Sequence, residues 1–397
     1  MPIEHDLSDR FELEYDTVQH RRIVAGKEVV LHCHHYNALL QQSIEGASQI
    51  DGKAIIRSAA EHVFADHVRR AFRPGDSEAD KFTVAQNLYR HLGFGVLDFT
   101  TMADGAITAS TSHFVEGWSS AFGRRDMPVC TFTEGFIQGA IHAVTGDVVA
   151  VREAACMISD HDRCSFEILN DRSTPFSDFP EIAFEFKAKD TTGFARSDNV
   201  DEQTIIDAVV GMPIFGDDEG LIPAFSVFLA CMPSDFYNLA SYTFVQEMEA
   251  RNLHSTAKNL LIYCGEVCGT KTFHGIMASE EWGGLVDPMI KQPSDIVFGL
   301  VAISNAFGWG NWHVREHEPY KSLVMESLNG YEAFGHRAHL GDANEPRCFM
   351  LTGVTAGMME FIYASGTMAD RFGTFVSDER TCICCDQESC LFEVEAV

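Results

Sequence analysis

Basic side chains are scarce in this chain. Of its 397 residues only 29 are Lys or Arg, against 58 Asp or Glu, a formal charge of −29. A nucleic-acid partner needs clustered cations on the surface, and this field repels phosphate, so nucleic-acid binding is not expected. Long apolar runs are missing too. No stretch approaches the roughly 18 uninterrupted residues of a membrane span. The start, MPIEHDLSDR, has neither a basic opening nor an apolar segment of the secretory type. Neither a Gly-x4-Gly-Lys-Ser/Thr loop nor a Gly-x-Gly-x-x-Gly loop occurs, so a self-contained ATPase or hydride-transfer reductase is not expected. The expectation is an acidic, soluble, cytoplasmic protein. With 46% apolar and 22% charged residues it can bury a core, and its length suits two or three domains.

What the chain has in abundance is cysteine, twelve in all. In a reducing compartment, clustered cysteines point to metal or redox chemistry before disulfides. Cys231, Cys264 and Cys268 read as buried thiols acting as small hydrophobes. Others recur in a pattern. Cys156-Met-Ile-Ser-Asp-His-Asp-Arg-Cys164-Ser-Phe-Glu answers Cys382-Ile-Cys-Cys-Asp-Gln-Glu-Ser-Cys390-Leu-Phe-Glu. Glu153 and Glu379 each stand three residues before the first cysteine. Upstream, Pro128-Val-Cys130 matches Pro346-Arg-Cys348, Gly93-Phe-Gly95 matches Ala306-Phe-Gly308, and Tyr36-Asn37 matches Tyr237-Asn238. The offset drifts from 201 to 226, as loop insertions would make it. Ordered landmarks of this kind mean a tandem duplication.

The expected organisation is an N-terminal segment 1–28, a first domain 29–170, a linker with lead-in strands 171–224, and a second domain 225–397. Within the first copy, Val29-Val30-Leu31 reads as a strand, and 37–50, 52–72 and 78–92 as helices, the last stopped by Gly93. Strands follow over 94–102 and 106–112. A small-residue helix 131–144 is closed by Gly146, and a hairpin pairs 148–158 with 163–169. Helices first and an antiparallel sheet after is an α+β plan.

The repeated set has the chemistry of a metal site. Cys156 and Cys164 flank a tight turn, Cys130 enters from a helix start, and Glu153 comes from the strand of Cys156. Strict alternation would put residues 153 and 156 on opposite faces, so a bulge or strand end is expected between them. Three thiolates and a carboxylate suit tetrahedral zinc, and four protein ligands leave no open position, which argues a structural role. Cys348, Glu379, Cys382 and Cys390 repeat the set.

This Cys, Gly-rich helix, Glu-x-x-Cys-x7-Cys-x-Phe pattern resembles the 4-vinyl-reductase-like domain family, which includes sensor domains of sigma-54 activators that detect aromatics. The resemblance implies a fold similar to subunits of the TRAPP particle, an apolar ligand cavity, and zinc held by Cys130, Glu153, Cys156 and Cys164. By the duplication it implies zinc also at Cys348, Glu379, Cys382 and Cys390. Copy two departs by eight extra residues before Glu379 and by the adjacent Cys384-Cys385.

The copies differ most where Leu31-His32-Cys33-His34-His35-Tyr36 stands against Cys231-Met-Pro-Ser-Asp-Phe236. On an extended segment His32 and His34 share a face, and His35 could join them at a turn. With a carboxylate, such histidines would suit an open non-haem iron site and hence a redox enzyme. Backbone hydrogen bonding at a strand end is the plainer alternative. His313 and His317 form a second pair, in a stretch whose aromatics suggest strand or loop. Phe94, Phe99, Phe114, Trp118 and Phe132 are candidate walls for an apolar ligand, although most of the 30 phenylalanines must be core. The leading expectation is a duplicated protein that binds a small hydrophobic or aromatic molecule, with two structural zinc ions. An iron enzyme using His32, His34 and His35, or a tetrapyrrole-binding or -reducing protein, is the alternative. A homodimer is left open.

Overall fold

A computed structural model describes residues 8–169 and 193–397; of the expected linker, residues 171–192 lie outside the described part. Three antiparallel strands open the chain: β1 (Leu13–Asp16), β2 (Arg21–Val24) and β3 (Lys27–Cys33). Copy one then runs α1 (His34–Glu45), α2 (Gly52–Arg70), α3 (Glu78–His91), β4 (Gly95–Asp98), β5 (Ala106–Ser112), α4 (His113–Phe122), α5 (Thr131–Thr145), β6 (Ala150–Ala155) and β7 (Cys164–Leu169). After α6 (Glu202–Val210) and β8 (Ile222–Ala224), copy two repeats the order. It has β9 (Val227–Pro233), α7 (Ser234–Glu249), α8 (His254–Met277), α9 (Glu280–Leu285), α10 (Asp295–Ala306), β10 (Trp312–Glu318) and β11 (Ser322–Ser327). It closes with α11 (Tyr331–Leu340), α12 (Phe349–Tyr363), α13 (Met368–Arg371), β12 (Phe375–Thr381) and β13 (Cys390–Ala396). The fold is α+β, with three antiparallel sheets. Among the described residues no helix is long and apolar enough to cross a membrane.

The two outer sheets have the same topology, β4-β5-β7-β6 and β10-β11-β13-β12. The third joins the copies in the order β1-β2-β3-β9-β8. At its centre the first strand of each copy pairs antiparallel with the other, Val30 opposite Met232 and Leu31 opposite Cys231. Since Tyr36 answers Tyr237, this register places a pseudo-twofold axis between those two pairs. The exchange goes further. Leu31 donates its amide to the carbonyl of Phe307 and Cys231 donates to Leu92, each across the copies. Helix α1 packs on α8, and α7 on α2. The copies are therefore intertwined rather than strung in series.

Local chemistry explains the elements. Asp51 caps α2 by accepting from Ala54, and Ser77 with Asp80 forms a capping box on α3. Gly93 and Gly146 take positive φ just beyond α3 and α5, as expected of helix stops. Each copy also packs two helix backbones together through a Gly-x3-Gly face. A Cβ at Gly135 or Gly139 would lie 2.3 or 2.5 Å from a carbonyl of α2, and one at Gly353 or Gly357 1.9 or 2.4 Å from a carbonyl of α8. That close approach fixes the small-residue helix against its partner and holds the cysteine at its N-terminus in place.

Several expectations change. Residues 99–104 form a 3-10 turn rather than continuing β4, because Asp98 caps Thr100 and ends the strand. Helix α1 begins at His34, directly after β3, rather than at Asn37. The N-terminal segment contributes β1 and β2 to the central sheet, and the linker region contains α6.

Candidate functional site

Both cysteine–glutamate sets converge. Each of the groups Cys130, Glu153, Cys156, Cys164 and Cys348, Glu379, Cys382, Cys390 is buried, with one donor atom per residue all within 4.8 Å of one another. Cys130 and Cys348 stand at the N-caps of α5 and α12, and Cys164 and Cys390 open β7 and β13. The expected irregularity is present twice. The register shifts between Glu153 and Ala155 in copy one, and between Glu379 and Thr381 in copy two. Each bulge turns glutamate and following cysteine to the same side.

The spacing fits a four-coordinate soft cation. In copy one the sulfurs of Cys130 and Cys164 are 3.8 Å apart and those of Cys164 and Cys156 3.7 Å. In copy two the three edges are 3.8, 3.6 and 3.7 Å. A tetrahedron with metal–sulfur bonds of about 2.3 Å has edges of about 3.8 Å. One oxygen of Glu153 accepts the Cys130 amide at 2.8 Å, and one of Glu379 accepts the Cys348 amide at 2.9 Å. The other carboxylate oxygen in each set is buried with no partner, a cost that a cation would remove. Crowded together, these acids resist ionisation. Burial and the Cys156 sulfur push Glu153 up to about 9, and burial raises the Cys130 thiol. A divalent ion reverses that balance.

The extra residues of copy two do not disturb the set. They lie mainly between helix and strand, where 364–374 replaces 146–149, and they hold α13. Cys384 differs in consequence: its sulfur sits 3.1 Å from that of Cys382, where copy one has Ile158.

The histidines do not gather. His32 is fully buried in an aromatic cage of Tyr36, Tyr237, Trp309 and Tyr331, with ring centroids 4.5 to 5.9 Å away. Its Nε2 meets the Tyr331 hydroxyl at 3.2 Å, and burial lowers its pKa to about 3. His34 and His35 stack at 3.9 Å and line a different cleft, with His34 Nδ1 against the Phe228 backbone. The start of α1 at His34 separates them from His32, so the iron-type ligand set read from an extended chain does not form. Among the described residues no third group of three donors converges. His313 stacks on Phe194 and His317 bonds Tyr363, both on β10.

Of the candidate wall residues, Phe94, Phe114 and Phe132 form one cluster, with Phe114 and Phe132 stacked at 4.5 Å and Phe94 4.9 Å from Phe132. Phe99 instead stacks on Phe82, and Trp118 packs on Phe122 under Arg125. The Phe114–Phe132 pair borders an enclosed void of about 10 Å³, shared with Asn37, Leu40, Gln41, Ile56, Phe236 and Tyr237. Its polar end is ordered. Tyr237 donates to Asn37 Oδ1 at 2.6 Å, and Asn37 Nδ2 bonds His113 Nε2 at 2.9 Å. Residues of α7, from copy two, thus close a pocket of copy one. Asn37, His113 and Phe236 were not among the sequence candidates. The repeated Tyr-Asn dipeptide was the available signal, and it served only as a landmark of the duplication.

Comparison with known proteins bears on this geometry. Residues 119–170 match the model of the 4-vinyl-reductase domain. The matched segment contains all four donors of copy one. Among solved structures, the phenol-responsive sensory domain of the transcription activator PoxR, determined with phenol, is 16% identical to this chain. That alignment covers 41% of this chain and 86% of the other, with a TM-score of 0.33. No curated protein matches the sequence.

Proposed function

We propose that the chain is a duplicated binding protein for a small aromatic molecule, with one structural zinc in each copy. The observation that carries this reading is the void at the junction of the copies. It has aromatic walls from Phe114, Phe132 and Phe236 and a polar end at Asn37, Tyr237 and His113, the mixture by which apolar pockets orient a ligand. Burial lowers the pKa of His113 to about 3, so at neutral pH it is uncharged; with Nε2 accepting from Asn37, its proton rests on Nδ1. The domain match around the metal residues of copy one is consistent with a binding-type unit. At about 10 Å³ the void holds at most a water. Binding therefore requires Phe236 to swing out, which would couple occupancy to the packing of α7 on copy one. The domain limits 29–170 and 225–397 belong to the same reading, each copy a binding-type unit with its own metal. The two Cys3Glu sets would hold zinc by thiolate and carboxylate, and the ion would supply folding energy rather than chemistry.

Two measurements test the proposal. Metal analysis of the purified chain should give two zinc per molecule. Calorimetric titration with phenol should show binding that Phe236→Ala strengthens, by opening the void, and that Asn37→Leu weakens at least tenfold. Absence of phenol binding in both wild type and Phe236→Ala would remove the aromatic-ligand reading. A metal other than zinc would remove only the metal assignment.

A further inference from the structure

Two successive arginines of β2 are buried, and only one has its charge answered. Arg21 donates to the carbonyls of Gly308 and Asn329, lies over the Phe334 ring and meets the Glu28 carboxylate at 3.5 Å. Arg22 is 1% exposed. One terminal nitrogen donates to the Ala306 carbonyl at 3.0 Å, its Nε has no partner, and among the described residues no carboxylate lies within ion-pair distance. The acidic groups that face it are the Cys231 thiol and the Tyr15 phenol. Burial holds both neutral, Cys231 pushed up to about 11 and Tyr15 well above its usual value. A guanidinium cannot shed its proton, so a buried one without an anion is costly.

Arg22 also lines a cleft of about 690 Å³ whose walls include Phe11, Leu13, Val24, Met212, Ile214 and Phe215. His91 packs against Phe11 and Phe215, with ring centroids 5.4 and 5.5 Å away, and burial lowers it to about 4, so it brings no charge at neutral pH. The carboxylates of the cleft, Asp9 and Glu12, are exposed, and Asp9 is already paired with Arg73 at 2.8 Å. The feature is thus an apolar trough with one uncompensated fork of N–H donors inside.

We propose that this cleft is a second ligand site, which takes a small amphipathic monocarboxylate, a fatty or aromatic acid. The carboxylate would meet Arg22 and the apolar body would lie on the walls. A planar guanidinium is matched to a carboxylate, with which it forms two parallel charge-assisted hydrogen bonds. The net charge of −29 disfavours polyanions, which restricts the occupant to a single negative group. The site shares no lining residue with the Asn37 void and does not depend on the reading given for it.

The test is calorimetric titration of the full chain with decanoate and with 1-decanol, both below their aggregation limits. Decanoate should bind one per chain, and decanol should bind about 10- to 100-fold more weakly, the ratio expected of hydrogen bonds to a charged group. Arg22→Met should level the two affinities. Met212→Trp, which fills the trough and leaves Arg22 in place, should weaken decanoate at least tenfold, and it decides the matter if Arg22→Met fails to fold. Failure of decanoate to bind the wild type, equal affinity for the two probes, or an unchanged preference in a folded Arg22→Met variant would overturn the proposal.

Discussion

The two copies agree at their metal sets and disagree in the interior beside them. Cys130 and Cys348 cap equivalent helices, the bulges coincide, and the sulfur spacings differ by no more than about 0.2 Å. Yet where copy one has Phe132 and Phe136 on α5, copy two has Met350 and Val354 on α12. Where copy one begins α4 with His113-Phe114, copy two begins α11 with Tyr331-Glu332. The Glu332 carboxylate turns inward to accept the amides of Met350 and Leu351. A closed ligand set tolerates little drift, because losing one donor exposes the others to an unpaired, desolvated state. A core position tolerates any residue of suitable size, or a polar one whose bonds are made. The comparison teaches which part of the duplicate serves architecture and which was free to specialise: the aromatic void lies in copy one alone among the described pockets.

The largest effect should come from breaking what the copies share. Cys164→Ser and Cys390→Ser should each release one equivalent of metal, read by elemental analysis. Structural zinc contributes on the order of 10 kcal/mol to folding in small metal domains, so each variant should melt far below the wild type. Copy two carries a reserve thiol in Cys384, 3.1 Å from Cys382. If Cys390→Ser keeps its metal and Cys390→Ser with Cys384→Ser loses it, the sets are alike in geometry but not in redundancy. Full metal and normal melting in both single variants would show that the sulfurs are merely packed.

The reach of the sequence follows from the same contrast. The metal residues and their bulge were legible because a ligand set constrains residue type and spacing together, and the duplication displayed each constraint twice. The α+β plan was legible from helix stops such as Gly93 and Gly146. The His32–His35 reading failed because it assumed an extended chain through residue 34. The actual strand-to-helix switch there, with Cys33 at the N-cap, sends the rings to different places. The exchange of α1 and α7 between copies was invisible, since no local pattern records which of two similar helix pairs a helix packs against. For that reason Phe236, from copy two, was not connected with Phe114 and Phe132.

A middle-sized effect is expected from the core that the copies do not share. Phe132 touches Phe64, Phe94, Phe114 and Phe236, with ring centroids between 4.5 and 5.4 Å. Phe132→Ala should cost about 3–5 kcal/mol by denaturant unfolding, the range for deleting a buried aromatic ring. Phe132→Met, which imports the copy-two residue, should cost under about 2 kcal/mol, because methionine fills irregular space. Equal losses for the two substitutions would mean that ring stacking, rather than filled volume, holds this cluster.

The smallest effect concerns pH, and here the copies should respond with opposite sign. In copy one, burial lowers His32 and His113 to about 3, below the unfolded value near 6.5. Between those limits the unfolded chain binds protons that the native state refuses, so this stability is complete above about pH 6.5 and declines as pH falls toward 3. In copy two, burial raises Glu332 to about 8 and, with Glu266, raises Glu360 to about 8. There the native state keeps protons that the unfolded chain releases above about 4.3, so this stability declines as pH rises toward 8. His32→Phe, which keeps a ring in the aromatic cage, should flatten the acid limb of stability against pH by about one proton. Glu332→Gln, which keeps an acceptor for the amides of α12, should flatten the alkaline limb by the same amount. Denaturant titrations from pH 5 to 8, with metal content checked at each point so that thiolate protonation is not mistaken for either limb, would decide it. Limbs unchanged in both variants would mean that these groups titrate alike in the folded and unfolded chain.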